Sequence, residues 1–348
     1  MNNNPYGRQS PFLHEKFYLA AHEYLANSSS VINFGLDKST IPISTKIYSP
    51  LCCRIAVFWT HIFAPLGVPL LVGSKANDEF DVALSKIMRT LGPAGLLIWP
   101  YLPLDGPVYQ QLADYSRCNG LHHAVIHEHK RAVFRRSETK FGYSSKRLKK
   151  LRSTIRKLEK LGQLEHLSYM DGIPSDQLQY LCDGFLDLER NGWKGRKKTA
   201  LASSKKTRKF FENSITGMNE TGDVRFDCLT LDGKLIGCLI SLLAGDEGCI
   251  WKIAFDENLH IYSPGVVLLK FVTEDFQNNF ERINYVDSLA TADHPMINSI
   301  WRTQARFGTL VMASAPGSKW RVRVYCRIEN IKMSLKKYLR ELIIKIRK

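Results

Sequence analysis

Asp232 and Gly233 join two apolar runs of alternating strand-like character, at residues 224–231 and 234–243. An Asp-Gly pair between two such runs is a strong signal for a two-residue β-hairpin, because both residues tolerate a positive φ. A third strand is predicted over residues 249–256, a helix over 263–278 and a fourth strand over 283–288. This order of hairpin, strand, helix and strand predicts a mixed α/β unit.

The rest of the chain also mixes predicted strands and helices. Short strand-like runs alternate with helix-like periods over residues 31–143, and residues 174–191 have apolar side chains at helical spacing. We therefore predict the α/β (α+β) class, with mixed central sheets flanked by helices. Residues 1–30 are polar and weakly periodic, which predicts a flexible N-terminal arm. A further short helix is predicted over residues 296–307.

Two basic amphipathic helices are predicted. The first links two halves of the chain at residues 144–163, and cations crowd its polar faces: Lys146, Arg147, Lys149, Lys150, Arg152, Arg156, Lys157 and Lys160. The second covers residues 332–348, with a continuous apolar face and a basic polar face. It suits attachment to an anionic membrane surface. Packing against the domain is the alternative.

The formal net charge of +16 predicts an anionic partner: cofactor phosphates, an acidic carrier protein, nucleic acid or a membrane surface. Nucleic acid is disfavoured because aromatic residues do not interleave the basic helices. No apolar run predicts a membrane-spanning helix, and the first residues do not resemble a secretory signal. The eight cysteines include no Cys-x-x-Cys pair, which favours reduced thiols and, with the other features, a cytoplasmic location.

The start of the helix predicted at residue 263 is a candidate anion site. Its sequence is Tyr262, Ser263, Pro264, Gly265 and Val266. Serine is a frequent N-cap and proline suits the first helical turn. A helix start presents unpaired backbone N–H groups and a partial positive charge, and the glycine would let a phosphate approach the backbone.

Four segments, in this order, carry a resemblance to a known family. They are the basic helix that ends in Leu158-Glu-Lys-Leu-Gly, the series Phe185, Glu189 and Trp193-Lys194-Gly195, the series Lys252-Ile-Ala-Phe-Asp256 and Tyr262-Ser-Pro-Gly265, and Tyr285-Val-Asp287. Together they resemble the CelD-like branch of the GNAT acyltransferases, named for cellulose and exopolysaccharide gene clusters. The usual GNAT glycine loop is absent, and Gly265 alone matches one of its glycines.

The resemblance implies a tandem GNAT-like architecture. Its first half, residues 31–143, would be degenerate, and the acyltransferase domain would cover residues 164–331. It implies transfer of an acetyl or longer acyl group from an acyl thioester to an amine or hydroxyl. The donor would be acetyl-CoA or acyl-CoA, with an acyl carrier protein as the alternative. The acceptor would be an anionic polysaccharide or lipid precursor of the cell envelope, so peripheral contact with the inner face of the membrane is expected.

Residues of the matched segments are the candidate site residues. Asp287, at a strand end, is the first candidate for a base or substrate anchor, and Lys252 and His294 are further catalytic candidates. The segment Tyr262–Val266 would bind the cofactor. Glu189, Trp193 and Lys194 would shape the acceptor site. No metal is expected, because the histidines lack suitably spaced carboxylate or thiolate companions.

Two other functions fit the same features. One is an aminoacyl-tRNA-dependent transferase of the related Fem type, which also suits the positive charge. The other is a non-catalytic binding protein on a degenerate GNAT scaffold.

Overall fold

A computed structural model of the chain describes residues 9–25, 31–35, 39–73, 75–137, 145–292 and 294–346. The chain forms two compact units. The first contains 28–129 and 306–348, and the second contains 9–27 and 130–305. The boundaries fall inside two strands, between His129 and Lys130 and between Ala305 and Arg306.

The first unit is a mixed sheet with helices. In order along the chain its elements are β1 (Val31–Asn33), β2 (Pro42–Tyr48), β3 (Cys53–Phe58), α2 (Ala76–Leu91), β4 (Leu96–Pro103), α3 (Pro107–Cys118), the start of β5 (His123–Arg135), most of β11 (Gln304–Ala313) and α9 (Lys319–Ile346). The strand order is β1-β2-β3-β4-β11. Only β3 and β4 are parallel among these pairs. Val322 and Tyr325 of α9 pack on this sheet beside Ile98 and Val311.

The second unit is a second mixed sheet, in the order β5-β10-β9-β8-β7-β6. Its elements are α1 (Glu15–Leu25), α4 (Ser145–Glu159), β6 (Leu164–Tyr169), α5 (Ser175–Asn191), α6 (Trp193–Arg196), α7 (Lys205–Asn219), β7 (Val224–Leu231), β8 (Lys234–Ala244), β9 (Glu247–Phe255), α8 (Pro264–Asn278) and β10 (Tyr285–Asp287). Helices flank the sheet: α8 and α4 pack on one face, in a core that includes Leu151, Leu158 and Leu268. Mixed sheets flanked by helices confirm the predicted fold class.

The Asp232-Gly233 hairpin forms as predicted. Both residues have positive φ, 50° and 74°, and Leu231 pairs with Lys234. Next along the sheet, the pairing of β8 with β9 contains a β-bulge: Ile240 lies opposite Lys252 and Ser241 lies opposite Ile250. Trp251 is therefore an extra residue in β9.

The predicted flexible arm is wrong for its described part. Residues 15–25 form α1, in which Phe17 is fully buried. Its ring centroid lies 5.4 Å from that of Phe210 and 5.5 Å from that of Trp251. The prediction failed because the aromatic anchor sits in a polar segment whose partners are far away in sequence. Residues 1–8 and 26–30 of the arm lie outside the described residues.

Other boundaries differ from those predicted. Residues 306–331 belong to the first unit, because β11 pairs with β4 and α9 packs beside it. The helix predicted over residues 296–307 is instead a 3₁₀ turn, Ile297–Ser299, followed by β11. The basic C-terminal helix begins much earlier than predicted, at Lys319. Residue 144 of the predicted linking helix and residues 347–348 of the tail lie outside the described residues. No helix in the described part of the chain is long and apolar enough to cross a membrane.

Candidate functional site

Strand β10 is much shorter than its neighbour β9. The two strands run parallel, with Tyr285 opposite Glu247 and Asp287 opposite Cys249, and the pairing ends there. Strand β10 ends at Asp287 while β9 continues to Phe255, so within the described residues no strand pairs with the second half of β9 on that side. Ligands in α/β sheets commonly bind outside the carboxyl ends of the strands, so the part of β9 beyond Cys249 is a candidate ligand-binding edge.

The start of α8 lies beside the end of β9. A Cβ atom on Gly265 would be 2.8 Å from Cδ1 of Phe255 and 3.3 Å from Sδ of Met296. Glycine is therefore needed here for close packing of the helix against protein, which differs from the predicted need for phosphate approach. The consequence is that the first turn of α8 is held against the last residue of β9.

The predicted serine cap of α8 is wrong. Ser263 is the N-cap, but its φ of 48° is left-handed and its side chain accepts no hydrogen bond from the first turn. Its carbonyl instead accepts from the N–H groups of Val266 (2.9 Å) and Val267 (3.2 Å). Pro264 has no N–H. Among the described residues, the N–H of Gly265 therefore has no backbone acceptor in this first turn. It can bind an anion together with the Ser263 hydroxyl.

Lys252 lies on β9 immediately after the bulge residue. Its ammonium is 5.6 Å from the centroid of the Trp251 ring. Burial, and next the nearby ammonium of Lys194, lower the pKa of Lys252 to about 8, while Glu189 opposes the shift. The structure thus brings together three candidates predicted from separate parts of the sequence. A lysine with this pKa is part neutral at neutral pH and can accept a proton.

Glu189 holds the segment around Lys194 in place. The side chain is 3% exposed. Its Oε1 accepts from Nζ of Lys194 (2.7 Å) and its Oε2 accepts from the backbone N–H of Leu201 (2.7 Å). Both carboxylate oxygens are occupied, so Glu189 fixes Lys194 and the chain that follows α6.

Trp193 is held through its backbone. Its N–H donates to Oε1 of Glu257 (2.7 Å), and Arg196 donates to the other oxygen of the same carboxylate (2.5 Å). Although burial opposes it, these contacts hold the pKa of Glu257 below its usual value. The indole itself is half-exposed, with the ammonium of Lys197 5.2 Å from its centroid.

A small pocket joins these groups to the end of β9. It is lined by Leu188, Glu189, Gly192, Trp193, Lys194, Ile253, Ala254, Phe255 and Glu257. Phe255 lines this pocket and also contacts the start of α8 at Gly265. The predicted acceptor residues and the predicted anion site therefore flank one aromatic side chain.

Asp287 lies where the pairing of β9 with β10 ends, and it is buried. Its Oδ2 accepts from Nη1 of Arg131 at 3.3 Å, and its Oδ1 accepts from the N–H of Leu289 at 2.9 Å. Both oxygens are engaged, which suits a positioning residue better than a base. Burial, and next the Asp287 charge, raise the pKa of the facing thiol of Cys249, so this thiol stays protonated.

His294 lies two residues before Met296, whose sulfur would be 3.3 Å from a Cβ atom on Gly265. Its carbonyl accepts from the N–H of Asn298 at 3.0 Å, and Nδ1 faces the N–H of Ile297 at 3.5 Å. Burial lowers the pKa of His294, so the ring is neutral at neutral pH.

Sequence reasoning missed two buried polar groupings in the second unit. One is Arg131, the partner of Asp287, which is 156 residues away in sequence. The other surrounds Asp227, whose Oδ1 accepts from Nη2 of Arg225 (2.7 Å) and contacts Nε2 of His166 (3.1 Å). For Arg225 and Asp227 the available signal was charge inside the strand predicted over residues 224–231, since an unpaired charge is rarely buried.

No group of three or more His, Cys, Asp or Glu side chains that could hold a metal ion occurs within the residues the structure describes.

A comparison with known proteins finds one matching family. Residues 145–294 match the family model of the acetyltransferase (GNAT) domain. This segment contains β9, α8, β10 and every candidate site residue named above. Residues 145–294 are therefore similar to GNAT-superfamily acetyltransferase domains.

Solved structures show the same fold at low identity. A conserved protein of unknown function from Bacteroides thetaiotaomicron aligns with a TM-score of 0.56 and 9% identity, over 88% of this chain and 93% of that chain. FemX aligns with a TM-score of 0.52 and 10% identity, over 89% of this chain and 93% of that chain. No curated protein sequence matches the chain.

Proposed function

We propose that the chain is an N-acyltransferase of the GNAT type that works in the cytoplasm. It transfers an acyl group from an acyl thioester, with acyl-CoA as the expected donor, to an amine or hydroxyl of a cell-envelope polysaccharide or lipid precursor. The supporting observation is the end of β9 beyond its pairing with β10, which carries Lys252 and packs at Phe255 against the start of α8, where Ser263 makes no side-chain cap. The envelope acceptor rests on the resemblance of the sequence motifs to the CelD-like branch.

The chemistry needs one proton acceptor. The acceptor nitrogen attacks the thioester carbonyl, a C–N bond forms, the C–S bond breaks, and the amine proton must leave. Lys252, with a pKa of about 8, takes that proton in its neutral form, and the departing thiolate is then protonated. His294 is the second candidate for proton transfer, because burial favours its neutral form and Met296, two residues later, packs at the start of α8.

The donor would bind at the segment Tyr262–Val266. Its Ser263 hydroxyl and Gly265 N–H fit a phosphate oxygen, while Tyr262 and Val266 pack against the hydrophobic core of the unit. The acceptor would enter past Trp193 and Lys194, where a half-exposed indole and an ammonium line the pocket. Asp287 would position the end of β10 through Arg131.

Calorimetry and turnover test this assignment. The intact protein is titrated with CoA, acetyl-CoA and hexadecanoyl-CoA, and thiol release is followed with amino-sugar acceptors. Lys252→Met should lower kcat at least tenfold with little change in donor affinity. Lys234→Met, an exposed lysine in the hairpin, is the matched control. Unchanged turnover in Lys252→Met would remove Lys252 from the mechanism.

Two other functions remain testable in the same assays. The fold shared with FemX supports a Fem-type transferase, which would use an aminoacyl-tRNA and would bind none of the CoA thioesters. A non-catalytic scaffold would show no turnover with any donor, and Lys252→Met would leave its biological effect unchanged.

Peripheral membrane contact is proposed for α9. Ile331, Leu335 and Tyr338 lie along one side of this helix and are 54%, 55% and 60% exposed. They line a groove of the first unit together with Arg323, Val324, Arg327 and other residues. Apolar side chains flanked by cations suit the interface of an anionic bilayer.

A further inference from the structure

Helix α4 packs through an apolar stripe that includes Leu151, Ile155 and Leu158. Most of its exposed cations, and that of the residue after it, form no ion pair with a described carboxylate: Lys146, Lys149, Lys150, Arg152, Arg156, Lys157 and Lys160. Glu159 is the only acid in the helix. A solvated helix surface normally mixes both signs, so this face is electrostatically unsatisfied.

The cationic face adjoins the proposed donor site. Leu151 and Leu158 share one apolar cluster with Leu259 and Tyr262, which belong to the 3₁₀ helix Glu257–Tyr262 directly before α8, and with Val266 of α8. A partner seated on α4 would therefore lie beside the Ser263–Gly265 turn.

The Ser263–Gly265 turn offers few hydrogen-bond donors to an anion. Pro264 has no N–H, and the N–H groups of Val266 and Val267 both donate to the Ser263 carbonyl. Among the described residues of this turn, the Gly265 N–H and the Ser263 hydroxyl are therefore the donors that an anion can use. Two donors fit one phosphate group, whereas a pyrophosphate normally uses several consecutive backbone N–H groups in a glycine-rich turn.

We propose that α4 docks an acidic acyl carrier protein, whose phosphopantetheine arm delivers the acyl thioester to the start of α8. This inference rests on the proposed acyl transfer and replaces CoA as the main donor. A carrier protein presents one phosphodiester at the serine that bears the arm, which fits the Ser263–Gly265 turn. Its acidic helices fit a one-signed face about 22 Å long.

The bonds that form and break are the same as with acyl-CoA as the donor. The acyl carbon leaves the pantetheine sulfur and bonds to the acceptor nitrogen, and the amine proton ends on the released thiol. RNA fits the same face less well, because α4 has no aromatic side chain for a base to stack on.

The test compares two charge-reversal variants of equal net charge. One carries Lys149→Glu, Arg152→Glu and Arg156→Glu on α4. The control carries Lys205→Glu, Lys206→Glu and Lys209→Glu on α7, where the lysines are also exposed. Fluorescence anisotropy measures the binding of a labelled carrier protein bearing a hexadecanoyl arm. Thiol release measures KM and kcat with that carrier and with hexadecanoyl-CoA.

We expect the α4 variant to weaken carrier binding and raise the carrier KM at least tenfold. Its kcat/KM with hexadecanoyl-CoA should change less than threefold, and the α7 variant should behave as the unmodified protein. Equal losses in both variants, no carrier binding, or tighter binding of tRNA than of carrier would overturn the proposal. Carrier binding without turnover from either thioester would instead count against the proposed acyl transfer and leave the docking surface supported.

Discussion

Asp287 and Arg131 form a buried ion pair between β10 and β5, with Nη1 of Arg131 3.3 Å from Oδ2 of Asp287 and both side chains at most 3% exposed. The pair lies where the pairing of β9 with β10 ends, because Asp287 is the last paired residue of β10. Asp287 is consequently expected to act on the site through position.

Removing the Asp287 carboxylate should lower the stability of the protein, because the carboxylate acts through position and not as a base. Asp287→Ala takes away the buried partner of Arg131 and should lower the free energy of unfolding by about 3–5 kcal/mol. Urea denaturation measures the loss. Asp287→Asn, which keeps the hydrogen bond acceptor for Leu289, should lose less. A base would show the reverse: an unchanged free energy of unfolding with kcat lowered equally in both variants.

The pH profile should report Lys252. Turnover should rise with pH and level off with an apparent pKa of about 8, since the neutral amine is the active form. In Lys252→Met the rise near pH 8 should disappear. A profile with the same midpoint in both proteins would assign the titration to another group.

Lys252 should also leave a signature in stability. Its pKa is about 8 in the folded protein and 10.5 in the reference state, so the unfolded chain binds more protons between these values. The free energy of unfolding should therefore rise as the pH increases from 8 to 10.5. Lys252→Met should flatten this rise in urea titrations, and Lys234→Met should keep it.

Gly265→Ala should strain the junction of α8 with β9. Its new methyl group would lie 2.8 Å from the Phe255 ring, and overpacking of this kind costs about 1–3 kcal/mol. Thermal unfolding measures the cost. Adding Phe255→Leu should restore part of it, and a double variant less stable than both single variants would contradict the steric cause.

Asp227 should make the free energy of unfolding of the second unit sensitive to acid. Burial raises its pKa, but Arg225 and His166 outweigh that effect and lower it from 3.8 to about 2. The stabilisation, about 2 kcal/mol, is complete above pH 4 and is lost as the pH falls from 3.8 towards 2. Urea titrations over this range should show a smaller slope in Asp227→Asn. An equal slope would mean that other carboxylates dominate.

Membrane binding should depend on one side of α9. Leu335→Ser with Tyr338→Ser should reduce co-sedimentation with vesicles that contain anionic lipid several-fold. Met333→Ser, also exposed but on the opposite side of the helix, is the control. Equal binding to neutral and anionic vesicles, or none, would count against the proposed contact.

Local patterns predicted the parts of this fold that have local causes. The Asp232-Gly233 hairpin needs only two positive φ angles, and α4 needs only an apolar stripe, so both follow from sequence. The helix predicted over residues 296–307 failed because β11 is fixed by pairing with β4, two hundred residues earlier. Tertiary contacts also decide the pairing of Arg131 with Asp287 and the meeting of Lys252 with Glu189, which no spacing along the chain reveals.

The bulge at Trp251 has a consequence for engineering. Regular alternation would send Trp251 and Lys252 to opposite sides of the sheet, but the extra residue lets both side chains meet on the side of Phe17 and Glu189. Ile250 and Ile253 still reach the core under α8. Deleting Trp251, rather than substituting it, would thus leave the remaining residues of β9 on their present sides of the sheet. Lys252 would keep its side of the sheet and lose only its aromatic neighbour.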